Sequence, residues 1–154
     1  MGRAINLFMA ENLSSAGETV ERTFDSTLES VDSAEELVAG IAGRAGFHEE
    51  DLLKIGMAVR EAMVNAVVHG NRYAAHKKVR LLASSGVGRL TVKVADEGDG
   101  FDIEHLPDPL APENLLRSSG RGIFLIRSFM EEVRMRRLET GGIELTLVKY
   151  QAAK

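Results

Sequence analysis

Three polar clusters interrupt stretches of this chain that are otherwise apolar or turn-forming. The first lies in REAMVNAVVHGN, residues 60–71, where Glu61, Asn65 and His69 recur at four-residue intervals. On a helix such residues stand on neighbouring turns, with Cβ atoms about 5–6 Å apart. A carboxylate and an amide placed this way can divide labour. Asn65 offers a neutral oxygen to a hard cation such as magnesium, which takes oxygen ligands and keeps several waters. Glu61 can orient or deprotonate an attacking hydroxyl, an effect worth roughly 10²–10⁴-fold. A solvated helix edge has the same pattern, because Glu, Asn and His are mostly exposed. Zinc fits poorly: the spacing is not His-Glu-x-x-His, and no second His stands at a ligand offset.

The second cluster is DEGDGFD, Asp96 to Asp102, directly after an apolar run. Gly98 and Gly100 lack side chains, so a flat ligand can approach the backbone. Asp96 can accept a hydrogen bond from an exocyclic amine such as that of adenine. A turn with acidic decoration is the plainer alternative. A calcium loop is weak, since the spaced oxygens and terminal Glu of an EF-hand are missing. The third cluster is RSSGRGIFLIRSF, with Gly120 and Gly122 ahead of a helical pattern. Free N–H groups and the dipole at a helix start make a phosphate site. Arg117 and Arg121 add positive charge. A flexible loop before a helix looks similar. The spacing is neither that of a P-loop nor, without a strand feeding it, a Rossmann fingerprint.

These clusters need elements to hold them. TVERTFDSTL alternates and predicts a half-buried strand. VDSAEELVAGIAGRAG follows as a helix, with Asp32 as cap, Glu35 at the capping-box position and an apolar stripe of Leu37, Val38, Ile41 and Ala45. Gly46 ends it. A longer helix runs from about Glu49 to about Asn71 on a stripe of Leu52, Ile55, Val59, Ala62/Met63, Ala66 and Gly70. KVRLLASS and RLTVKVAD form two strands around a hairpin at SGVG. The irregular stretch IEHLPDPLAPENLLRSSGRG carries all 3 prolines. IFLIRSFMEEV reads as helix, then RMRRLET and IELTLVKYQ as strands around TGG. The order β-α-α-β-β-loop-α-β-β predicts an α+β fold: a two-layer α/β sandwich whose mixed, mostly antiparallel sheet is covered on one face by helices.

Bulk properties narrow the function. The 154 residues suit one domain, and 44% hydrophobic with 27% charged residues is a globular balance. A net charge of -4 speaks against direct nucleic-acid binding. With 0 cysteines there is no disulfide, thiolate or Cys-zinc chemistry. No apolar run reaches the roughly 20 residues that span a bilayer. The expectation is a cytoplasmic protein without a membrane partner.

In order and spacing, the three clusters resemble the boxes of the GHKL ATPase superfamily. EAMVNAVVHGN is similar to its N box, DEGDGFD to its first glycine box and SGRGIFLIRSFMEEV to its second. Within the superfamily the chain is most similar to bacterial anti-sigma factors that double as serine-protein kinases. The resemblance covers about residues 18–150, leaving 1–17 as a lead-in and 151–154 as a tail. It implies a Bergerat-type ATP-binding fold with ATP and magnesium as cofactors. It implies magnesium on Asn65, Glu61 as the general base for a partner serine, and Asp96 on the adenine amine. Gly98 and Gly100 would shape the adenine pocket. Gly120 and Gly122 would cradle phosphates under a lid of about residues 103–119. His69 would line the nucleotide site; Arg121 as a phosphate contact follows from its charge alone. The implied substrate is an anti-sigma-factor antagonist with a sulfate-transporter-like (STAS) domain. Sequestration of a sigma factor and homodimerisation are implied too. Two rivals stay open. One is a nucleotide-dependent binding switch with little kinase activity. The other is a detached histidine-kinase catalytic domain, disfavoured because no His precedes His48.

Overall fold

The computed structural model describes residues 17–98 and 120–152. Strand β1, Thr19–Asp25, leads into helix α1, Leu28–Arg44. Helix α2, Glu49–Val64, continues without a break into a π-helical segment, Asn65–Gly70. Strands β2, Lys78–Gly86, and β3, Arg89–Ala95, form a hairpin. Helix α3, Gly120–Phe129, then precedes the hairpin of β4, Glu132–Arg137, and β5, Ile143–Tyr150.

The five strands form one sheet in the order β1-β2-β3-β5-β4. The expected sheet is mixed and mostly antiparallel, and all four pairings are antiparallel. Alternation sets which face is buried. Val79, Leu81 and Ala83 of β2 point inward with Val92 and Val94 of β3 and Leu145 and Leu147 of β5. Against them pack Val38 and Ile41 of α1, Ile55, Val59 and Met63 of α2, and Ile126 of α3. Each such large side chain contributes roughly 1.5–3 kcal/mol by leaving water. The opposite sheet face carries Thr19, Thr91, Thr146 and Lys93, none of them buried.

Three local expectations change. Helix α1 begins at Leu28, ahead of Asp32, because Thr27 is extended and its hydroxyl accepts the Ser30 N–H. That cap comes first along the chain and satisfies an otherwise unpaired donor. Asp32 and Glu35 instead hold Arg60 Nη1, at 2.8 and 2.7 Å. Helix α3 starts earlier and stops earlier than the run IFLIRSFMEEV suggests. Glu132 and Val133 belong to β4, where Val133 pairs with Leu147 and points into the core. Ladder hydrogen bonds and burial override the weak local helix signal there. The long second helix spans the expected residues, but its last six are π-helical.

Candidate functional site

Helix α2 and its π-helical extension form the spine of the site. Glu61 and Asn65 stand one α-helical turn apart and both are half-buried. Opposite them runs the first turn of α3. A Cβ added to Gly122 would lie 3.2 Å from Glu61 Oε2 and 3.3 Å from each terminal atom of Asn65. Gly122 therefore leaves room beside these two side chains that any other residue would take. Gly120 and Arg121 open the same helical turn. The side chain of Arg121 lies outside the described residues.

Nine residues along the spine from Glu61, the helix meets Asp96. At the α-helical rise of 1.5 Å per residue the span is at most about 13 Å, since its last six residues are π-helical. Asp96 follows β3 and is 9% exposed. Its backbone N–H donates to Ile143 O at 3.0 Å. Its carboxylate Oδ1 accepts the N–H of Gly98 at 2.9 Å and of Ile143 at 3.2 Å. The second oxygen, Oδ2, faces Gly70, where an added Cβ would sit 2.5 Å from Asp96 Cγ. Burial pushes the Asp96 carboxyl above its ordinary value, against the two N–H donors and the positive charge of Lys77. A buried carboxylate with one oxygen held by two N–H groups suits a specific donor at the other.

Glycines make this close packing possible. Gly98 approaches the carbonyl of Gly70, and Gly142, at φ +85°, lies against the Asp96 backbone. A side chain at Gly98 or Gly142 would collide with main chain, which cannot swing aside. Of these, Gly98 is legible from the acidic glycine turn. Gly70 reads as a member of the buried stripe, and Gly142 as hairpin punctuation. The available signal is that a glycine inside a helix costs up to about 1 kcal/mol against Ala, and so has a packing reason.

His69 departs from the polar line. It is exposed, whereas Glu61 and Asn65 are half-buried. It lies in the π-helical segment, after which the Asn71 N–H donates to Ala66 O, five residues back. Gly100, Arg117 and the lid at about 103–119 lie outside the described residues.

The donor chemistry fits the groups the sequence implies. Asn65 supplies a hard oxygen of the kind magnesium takes. The α3 start supplies backbone N–H groups for phosphate, and Asp96 Oδ2 an acceptor for an amine. No helix among the described residues is long and apolar enough to cross a membrane.

Comparison with known proteins agrees with this geometry. The family model "Histidine kinase-like ATPase domain" matches residues 24–149. The serine-protein kinase RsbW of Bacillus subtilis (strain 168) is 31% identical over 119 residues, covering 73% of each chain. That of Halalkalibacterium halodurans is 32% identical over 139 residues, 86% of this chain and 83% of the relative. Among solved structures, the RsbU and RsbW domains of Rv1364c from Mycobacterium tuberculosis superpose with a TM-score of 0.64 at 19% identity, over 89% of this chain and 33% of that longer one. The SiaB-SiaC complex from Pseudomonas aeruginosa gives a TM-score of 0.62 at 15% identity, over 96% and 99%. At such identities these two likenesses concern the fold.

Proposed function

Because the chain belongs to the histidine kinase-like ATPase family and within it to the RsbW-type serine-protein kinases, we propose that residues 18–150 transfer the γ-phosphoryl group of ATP to a serine of a STAS-domain anti-sigma-factor antagonist. The protein is a protein-serine kinase of this family. Its second role in this reading is to sequester a sigma factor, as a cytoplasmic homodimer.

The observation that carries the reading is the spine. One helix presents Glu61 and Asn65 to the start of α3 and, at most about 13 Å away, Gly70 to Asp96. An elongated ligand with a base at one end and phosphates at the other matches that separation. Asp96 Oδ2 takes the adenine amine, and Gly98 keeps the floor flat enough for the ring. Backbone N–H groups of residues 120–122 hold phosphate oxygens, with Arg121 adding charge. Asn65 would hold magnesium, which would neutralise charge along the phosphates. Glu61 orients the partner serine and receives its hydroxyl proton. The serine oxygen forms its bond to the γ-phosphorus as the bond to the β–γ bridging oxygen breaks, and ADP leaves. Catalysis is then mostly positioning and charge neutralisation. His69, exposed at the end of the helix, is assigned to the rim of the nucleotide site, and Gly100 to the adenine pocket.

The test is transfer itself. The purified protein is incubated with magnesium, ATP and an unphosphorylated STAS-domain antagonist from the same genome, and the antagonist is mapped by mass spectrometry. A phosphoserine that depends on Glu61 supports the reading. Tight ATP binding and partner capture without any phosphoserine would turn the protein into a nucleotide-dependent switch.

A further inference from the structure

Asn71, the residue directly after the π-helical segment, is 1% exposed and its amide is engaged at both ends. Nδ2 donates to Ser26 Oγ and to Lys78 O, each at 2.9 Å. Oδ1 accepts the Glu97 N–H at 2.7 Å. Ser26 Oγ donates onward to Lys77 O at 2.5 Å. Glu97 closes the far side, its Oε2 accepting the Lys78 N–H at 3.0 Å. A single buried amide thus joins the end of β1, the start of β2 and the residue that follows Asp96.

The link to Asp96 is short. Glu97 lies between Asp96 and Gly98, and the Gly98 N–H is one of the two donors that orient the Asp96 carboxylate. The Glu97 N–H belongs to the peptide that joins Asp96 to Glu97, so Asn71 holds the backbone between Asp96 and the next peptide, which carries the Gly98 N–H. The chain beyond Asn71 is also constrained. Arg72 and Tyr73 have φ of +50° and +60°, a left-handed pair without glycine. Such conformations persist where the surroundings over-determine them. Here the Tyr73 N–H donates to Val67 O at 2.9 Å and the Ala74 N–H to Asn71 O at 3.0 Å.

We propose that Asn71 is a positioning residue for adenine recognition: by holding the Glu97 peptide it sets the direction in which Asp96 presents Oδ2 to the base amine. The inference rests on the proposed ATP-binding role of Asp96. A residue that only stabilises the fold would weaken every nucleotide alike. A residue that aims Asp96 acts on the base and leaves the phosphate end intact.

The experiment compares ATP with inosine triphosphate, which has a carbonyl in place of the 6-amino group, by calorimetry with magnesium on the full chain. Wild type is expected to prefer ATP by about tenfold or more, the worth of a hydrogen bond to a charged acceptor. In Asn71→Ala the ATP affinity falls by about tenfold while the inosine nucleotide changes far less, so the preference collapses. Ser26→Ala removes one acceptor for Nδ2 but keeps Asn71, and is expected to lower the preference partway. It decides the matter if Asn71→Ala does not fold. Parallel loss of both nucleotides or an unchanged preference in a folded Asn71→Ala, or, where that variant does not fold, an unchanged preference in Ser26→Ala, overturns the role of Asn71 alone. A wild type that binds both nucleotides equally removes the adenine role of Asp96, and this inference with it.

Discussion

Replacing Gly70 with Ala tests the geometry around Asp96 most directly. An added Cβ would stand 2.5 Å from Asp96 Cγ, whereas carbon atoms rest at about 3.5–4.0 Å. The carboxylate must then move by about 1 Å or more. Its Oδ1 bonds, at 2.9 and 3.2 Å, do not both survive such a shift. Overpacking of this kind costs about 1–3 kcal/mol. Ala returns about 0.5–1 kcal/mol through its better helix propensity. The expected net is a loss of up to about 2.5 kcal/mol, seen as a lower urea midpoint at unchanged slope. The effect on ATP is larger in proportion. A misdirected hydrogen bond to a charged acceptor is worth about 1.5–3 kcal/mol, or roughly 10- to 150-fold in affinity. Gly43→Ala is the matched control, because a Cβ there meets nothing within 4 Å. It should stabilise slightly and leave nucleotide binding unchanged. A Gly70→Ala protein that binds ATP as wild type does would refute the placement of Asp96 in the site.

Three further outcomes follow from the same geometry. Glu61→Gln keeps the shape of the side chain but not its basicity, so single-turnover phosphotransfer should fall roughly 10²–10⁴-fold with ATP affinity little changed; parallel loss of binding and transfer would contradict the base role. Gly122→Ala places a methyl 3.2 Å from Glu61 Oε2 and 3.3 Å from the Asn65 amide, so transfer should drop while adenosine binding, read at the Asp96 end, stays near wild type. The raised pKa of Asp96 means that the folded state binds this proton more tightly than the unfolded chain. Its contribution is therefore fully present below the ordinary carboxylate pKa and lost as pH rises through the folded value. Asp96→Asn should accordingly gain stability over wild type, in the nucleotide-free protein, as pH is raised from about 4 towards neutrality; urea midpoints that fall further behind wild type with rising pH would contradict this.

Much of the architecture is legible in the residues themselves. Alternation in KVRLLASS and RLTVKVAD marks β2 and β3 because one face of each is buried. Gly46 marks the end of α1, with φ +91° that suits glycine. Helix boundaries are less legible at Thr27 and at Glu132, since both depend on competition between neighbours. A hydroxyl two residues after a strand can cap earlier than an Asp further on. A partner strand can claim residues whose own preference is helical.

The sequence by itself determined the chemistry available: a carboxylate and an amide one turn apart, an acid on a glycine turn, and glycines at a helix start. Those are local patterns, set by spacing along a single element. Only the tertiary structure decided which of them meet. It brought Gly122 against Glu61 and Asn65, and Gly70 against Asp96, across gaps of many residues. It also made the last six residues of the long helix π-helical, with His69 exposed among them. Contacts between elements depend on how the helices seat on the sheet, and that seating is fixed by the shared core rather than by any one segment.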